Sequence, residues 1–161
     1  MKSQVLIVMG SDSDLPVMEG AEEILKQFGI TYQTTVASAH RSPERTIRIA
    51  SEAEGNGIQV IIAGAGMAAH LAGIIAAHTI LPVIGVPINS SPLNGLDSLL
   101  STVQMPPGVP VATMAIGKPG AKNAAILAAQ IIGRKTSAIA KKLREYKKVL
   151  AADVGKKADR K

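Results

Sequence analysis

The sequence predicts a doubly wound α/β fold of flavodoxin-like type, with a parallel sheet of about five strands in a three-layer α/β/α arrangement and a C-terminal helix. Two observations carry that expectation. Short aliphatic runs alternate with longer segments at helical spacing, the pattern of a parallel sheet covered by helices on both faces. The 161 residues are also the length of one ordinary domain, enough to bury a core and too few for two.

The elements follow in order. Val5–Met9 reads as a buried strand, and Leu15–Phe28 as an amphipathic helix whose Leu15, Met18, Ile24, Leu25 and Phe28 recur at helical spacing. Gly29 is placed to stop it as a C-cap glycine. Thr31–Ala37 is the second strand. A helix from about Pro43 to Glu54 follows, with Ser42 as N-cap and Pro43 at the first helical position, where a missing N–H costs nothing. Gln59–Ala63 is the third strand, and Gly64-Ala65-Gly66 is expected to open a helix running to about Thr79. Val83–Val86 is the fourth strand. The Ser/Asn/Pro/Gly segment Asn89–Gly95 leads into a short helix, Leu96–Val103. After the turn Pro106-Pro107-Gly108 come a fifth strand, Val111–Ile116, and two helices, Ala121–Ile132 and Thr136–Leu150. Ala151–Lys161 is expected to fray.

Composition narrows the function. Hydrophobic residues make up 47% but aromatics only 2%, with Phe28, Tyr32 and Tyr146 the only rings of that kind. Base-stacking modules need aromatic platforms this chain lacks, so a bound heterocycle would be read by backbone groups and aliphatic walls. The net charge of +6 is unevenly spread: 11 of 18 basic and 3 of 12 acidic residues lie in 134–161, a local +8 that leaves residues 1–133 at −2. The basicity belongs to the C-terminal helix and tail, read as a solvated face rather than a nucleic-acid surface. With no cysteine, there is no disulfide framework and no thiolate chemistry. Val5–Met9 is too short for a signal sequence and no run is long enough to span a membrane, so a cytoplasmic location without membrane attachment is expected.

In a doubly wound sheet, ligands sit outside the carboxyl ends of the strands at the switch point between strands one and three. Three predicted loops meet there. In the first, Gly10-Ser11-Asp12-Ser13-Asp14, the Ser11 and Ser13 hydroxyls and the backbone N–H groups of a helix start make a phosphate seat, while Asp14 suits vicinal ribose hydroxyls. The competing reading is that Ser13 or Asp14 merely caps the helix. In the second, Ser38-Ala39-His40-Arg41, Arg41 can fork onto a phosphate, and His40 can give and take a proton near neutrality. A hydrogen-bonded loop histidine is the plainer alternative. In the third, the small residues Gly64, Ala65 and Gly66 let backbone amides approach a planar ligand or a carboxylate. His70 either lines that pocket or caps the following helix.

Other chemistries find little support. The glycine spacing is wrong for a dinucleotide fingerprint, no P-loop lysine follows the glycines, and no G-x-S-x-G elbow occurs. His70 and His78 are eight residues apart rather than at the spacing of a helical zinc pair, so no metal is expected. Proton transfer on a bound nucleotide is what remains.

The strings Met9-Gly10-Ser11-Asp12-Ser13-Asp14, Ser38-Ala39-His40-Arg41-Ser42-Pro43 and Ile61-Ile62-Ala63-Gly64-Ala65-Gly66, with Asn94-Gly95-Leu96-Asp97-Ser98-Leu99 and Val103-Gln104-Met105-Pro106, resemble the N5-carboxyaminoimidazole ribonucleotide mutase family. Five ordered motifs at family-like spacing cover nearly the whole chain. The resemblance implies one catalytic domain over residues 1–161. It would isomerise N5-carboxyaminoimidazole ribonucleotide to the 4-carboxy compound of purine biosynthesis without metal, nucleotide or organic cofactor. It further implies that Ser11, Ser13 and Arg41 hold the 5′-phosphate, Asp14 the ribose, and His40 the mobile proton. The stretch containing Ser38 and Ala39, the Gly64–Gly66 loop, His70 and Leu71 would complete the substrate pocket, most of them at its carboxylate end. A homo-octamer is implied as well, and the small apolar helices Ala68–Thr79 and Ala121–Ile132 are consistent with subunit contacts.

The third loop lacks the Arg-Ser-Asn stretch of the animal-type relatives that carboxylate aminoimidazole ribonucleotide directly, which favours the mutase branch. Direct carboxylation and a non-catalytic ribonucleotide-binding module are the alternatives. Two positions depart from the family pattern: Met67 stands where glycine is expected and Ala72 where proline is. At Met67 a positive φ would add strain, and an inward side chain would narrow the pocket.

Overall fold

The computed structural model describes residues 2–158. Its centre is an all-parallel sheet in which β1 (Val5–Met9) lies between β2 (Tyr32–Val36) and β3 (Val60–Gly66). On the β3 side follow β4 (Val83–Ile88) and the two-residue β5 (Ala112–Thr113), giving the order β2-β1-β3-β4-β5. Val5 pairs with Tyr32 on one side and Val60 on the other. The strand order therefore reverses between β1 and β3, and the chain leaves their carboxyl ends toward helices on opposite faces of the sheet, Leu15–Phe28 on one and Leu71–Ala77 on the other.

Alternation along the strands builds two cores. Val5, Ile7 and Met9 of β1 join Val60, Ile62, Ile84 and Val86 under α1 (Leu15–Phe28) and α5 (Lys118–Gly133), with α6 (Ser137–Ala158) laid over them. Leu6 and Val8 turn to the opposite face, with Ile61, Ala63 and Val83 under α2 (Pro43–Glu52) and α3 (Leu71–Ala77). On that face, α4 (Leu96–Val103) packs along β4, where Gly85 leaves room for Thr102 and Val111. The lack of a side chain at Gly20 lets α1 come close to the start of α5: a Cβ there would lie 3.0 Å from Lys118 Cγ. Phe28 and Tyr146 meet edge to face at 5.6 Å where α6 crosses the end of α1.

The predicted bounds of β1, α1 and α4 match the structure residue for residue, and Gly29, at φ 70°, closes α1 as expected. Other expectations are corrected. Gly64-Ala65-Gly66 does not open a helix; it continues β3 in register with Val86, Pro87 and Ile88, and α3 starts only at Leu71. Ser42 is the N-cap residue of α2 and Pro43 its first residue, as expected, but the Ser42 side chain makes no capping bond; its hydroxyl donates to Ser38 O and accepts the Ser38 N–H. The fifth strand is shorter than Val111–Ile116: only Ala112 and Thr113 pair in register with β4, and beyond them contact with β4 is reduced to single bonds from the Met114 and Gly117 N–H groups to Gly85 O and Pro87 O. The last helix does not fray at Ala151 but runs to Ala158; residues 159–161 of that expectation lie outside the described residues. Finally, α5 is covered within the chain by α1, α6 and the sheet, so the surplus apolar surface lies elsewhere.

Candidate active site

At the carboxyl ends of β1 and β3, the loops after β1, β2 and β3 enclose a cleft of about 560 Å³. The Gly10 N–H donates to Gly64 O at 3.0 Å, tying the first loop to the end of β3 at its base. Of the predicted residues, Ser11, Ser13, Asp14, Ser38, Ala39, His40, Arg41, Ala65, Gly66, His70 and Leu71 all line this one cleft. Gly64 does not. It lies under the cleft in the core, where a Cβ would press to 2.5 Å of Met18 Sδ.

The first loop forms a single 3₁₀ turn, Asp12–Asp14, ahead of α1. Ser11 caps this turn, its Oγ accepting the Ser13 N–H while the Asp14 carboxylate reaches back to the Ser11 N–H at 3.0 Å; Asp14 itself holds the N-cap position of α1, as one reading expected, but makes no side-chain capping bond there. The two serine hydroxyls lie 2.9 Å apart on the cleft side, so both can turn to one anion. Asp14 is only 5% exposed. Burial pushes its carboxyl above the ordinary 3.8, and the negative charge of Asp12 adds to this, against backbone N–H donors of Ser11 and Gly10 that pull it down.

The second loop is held by the Ser42 hydroxyl on both backbone polar groups of Ser38, which closes it over the three residues between them, Ala39, His40 and Arg41. Arg41 Nε approaches Ser38 Oγ at 3.4 Å and one terminal nitrogen approaches Gly10 O at 3.4 Å. It forms no ion pair with a carboxylate among the described residues, so its charge faces the cleft unneutralised. His40 Nε2 lies 2.7 Å from His70 Nδ1, with the rings nearly perpendicular at 89°. One nitrogen must donate and the other accept, so the bond joins a neutral ring to a neutral or a charged one, never two charged ones. The imidazole that can move a proton is thus held by a ring from another loop.

The cleft also takes in residues that sequence reasoning did not assign to binding: Gly10, Met67, Ala68 and Ser90. Gly10, Met67 and Ala68 fall inside loops already singled out. Ser90 follows β4 within the segment Asn89–Gly95, read only as a connection; its place at another strand's carboxyl end was the available signal. Met67 is both strained and cleft-lining, at φ 55°. Among the described residues no cluster of three or more His, Cys, Asp or Glu could hold a metal ion, and no helix is long and apolar enough to cross a membrane.

Known proteins give this geometry a context. The chain is 60% identical over 157 residues to the N5-carboxyaminoimidazole ribonucleotide mutase of Thermotoga maritima, covering 98% of this chain and 91% of that protein. It is 61% identical to the Pyrococcus horikoshii enzyme of that name over 163 residues, with 99% and 91% covered. The Escherichia coli enzyme of that name is 51% identical over 152 residues, with 94% and 90% covered. In three dimensions the crystal structure of Treponema denticola PurE matches with a TM-score of 0.86 at 31% identity over 94% of each chain. Because the family profile described as AIR carboxylase matches residues 4–153, nearly its whole length, the chain belongs to the AIR carboxylase family.

Proposed function

We propose that this chain is an isomerase of purine biosynthesis that converts N5-carboxyaminoimidazole ribonucleotide to 4-carboxyaminoimidazole ribonucleotide. The observation that carries the reading is the convergence in one cleft of a proton-carrying imidazole, an unneutralised guanidinium, paired serine hydroxyls and a wall of small residues. The names of relatives 51 to 61% identical support the same reaction.

In this reading Ser11, Ser13 and Arg41 bind the 5′-phosphate, and Asp14 accepts from the ribose hydroxyls. The heterocycle then extends toward His40 and the third loop. His40 protonates the exocyclic nitrogen as the carbamate C–N bond breaks, its electron pair staying on nitrogen and carbon dioxide leaving neutral. The ring carbon attacks carbon dioxide and a C–C bond forms. Loss of the ring-carbon proton to His40 restores aromaticity, so the imidazole ends as it began. Ala39, Ala65, Gly66 and Leu71 form the wall that keeps carbon dioxide beside the ring. His70, hydrogen-bonded to His40, holds its ring in place.

Every proton is accounted for by one imidazole, and the scheme uses no metal, nucleotide or organic cofactor. The whole chain acts as one catalytic domain in the cytoplasm, assembled as a homo-octamer, with the basic helix contributing to solubility or assembly and not to nucleic-acid binding. The test supplies purified protein with the N5-carboxy substrate, or with aminoimidazole ribonucleotide plus bicarbonate, and follows the 4-carboxy product. Efficient turnover of the first and poor turnover of the second is the expected result. The reverse would make the chain a direct carboxylase, and binding without turnover a non-catalytic module.

A further inference from the structure

Met67 combines two unusual features at the rim of the cleft. Its backbone sits in the left-handed region, φ 55°, where a Cβ is strained and glycine is the usual occupant. Its neighbours leave little room to relax. On one side, a Cβ on Gly66 would strike the Ser90 hydroxyl, and Ile88 O lies 3.1 Å from the same point. On the other, the Ala69 N–H donates to Ser101 Oγ at 2.9 Å, and the His70 N–H folds back onto Ala68 O at 2.8 Å. The side chain recovers little through packing: it is 60% exposed and belongs to neither hydrophobic cluster. A pinned, strained backbone thus holds a free thioether at the cleft mouth, three residues before His70.

Strain left uncompensated in the free chain points to a state that uses the side chain. Resting on the mutase reading, we propose that Met67 caps the carboxyl end of the cleft. It folds over the bound ribonucleotide so that carbon dioxide freed from the exocyclic nitrogen stays beside the ring carbon. Carbon dioxide carries no charge for Arg41 or the serines to hold, so only an apolar wall that excludes water delays its escape. Ala39, Ala65 and Ala68 line the cleft and supply part of that wall. Methionine suits the open side, being unbranched, apolar and adaptable, able to swing away for a charged ligand and close over a small neutral one.

The test follows the carboxyl carbon. Wild type, Met67→Leu, Met67→Ala and Met67→Gly are given N5-carboxy substrate labelled with carbon-13 in the carbamate, in unlabelled bicarbonate. Label in the 4-carboxy product and free aminoimidazole ribonucleotide are both measured. Wild type and Met67→Leu are expected to retain most of the label, whereas Met67→Ala and Met67→Gly lose several-fold more to the buffer and release several-fold more decarboxylated nucleotide. Because Met67→Ala keeps the strain and Met67→Gly removes it, equal leakage from both assigns the effect to the side chain. Unchanged retention in both overturns the cap. Leakage accompanied by a change in sedimentation also overturns it, since Met67 would then be packing against another copy. A wild-type chain that turns over no N5-carboxy substrate sinks the mutase reading itself and the cap with it, a result distinct from unchanged retention.

Discussion

At the scale of single residues, the proton transfers of the proposed mechanism rest on the imidazole of His40. Its substitution by Asn keeps a hydrogen-bonding side chain of similar size but removes the exchangeable proton. The expected outcome is a loss of roughly 10² to 10⁴ in kcat with ribonucleotide binding retained, checked by pairing single-turnover kinetics with equilibrium binding. Asp14 is a different case. Its carboxyl is raised above 3.8 mainly by burial, so between 3.8 and the raised value the folded chain binds more protons than the unfolded one. Stability therefore falls as pH climbs through that window and stays lower above it. Asp14→Asn has no such titration, so its Tm relative to wild type shifts in the variant's favour as pH rises from 3.8 to neutrality. Thermal melts across that range check the trend. The same change is expected to weaken ribonucleotide binding, because an amide offers one acceptor oxygen where the carboxylate offers two.

At the scale of elements, the junction of α1 with the sheet depends on the absence of one side chain. Met18 is fully buried, and a Cβ at Gly64 would sit 2.5 Å from its sulfur and 3.1 Å from its Cγ and Cε. Gly64→Ala is expected to cost about 1–3 kcal/mol through overpacking, read as a lower urea midpoint. This position also shows where sequence reading stops. Val5–Met9 and Leu15–Phe28 were legible to the residue because an uninterrupted aliphatic strand and a helix closed by Gly29 are strong local signals. Gly64-Ala65-Gly66 carries little local preference. Its strand conformation comes from pairing with Val86–Ile88, residues distant in sequence, and its glycine at 64 answers to Met18 from another layer. The loops holding the candidate site could still be named, because the carboxyl ends of β1, β2 and β3 follow from strand order. Ser90 could not be assigned to the cleft from its own segment, and the contact between His40 and His70 depends on the spacing of two loops that no local pattern encodes.

At the scale of the molecule, one stripe of the apolar surface left over after folding lies on α4 and its approach. Leu93, Leu96, Leu100 and Val103 recur at helical spacing and are each close to half exposed or more, and nearby Asp97 Oδ1 is buried without a hydrogen-bond partner among the described residues. In the proposed octamer this stripe is a subunit contact, so Leu96→Glu with Leu100→Glu is expected to lower the sedimenting mass. The edge-to-face pair of Phe28 and Tyr146 has a practical outcome of its own. Tyr32, at the start of β2, also lies toward the amino-terminal edge of the sheet, and the 14 residues of α1 set Phe28 roughly 20 Å from the cleft end of that helix. With no tryptophan in the chain, tyrosine emission reports the seam between α1, β2 and α6 and is blind to events among the three loops. Detachment of the C-terminal helix and occupation of the nucleotide cleft therefore register in separate optical channels, the first in intrinsic fluorescence and the second only in the absorbance of the ligand.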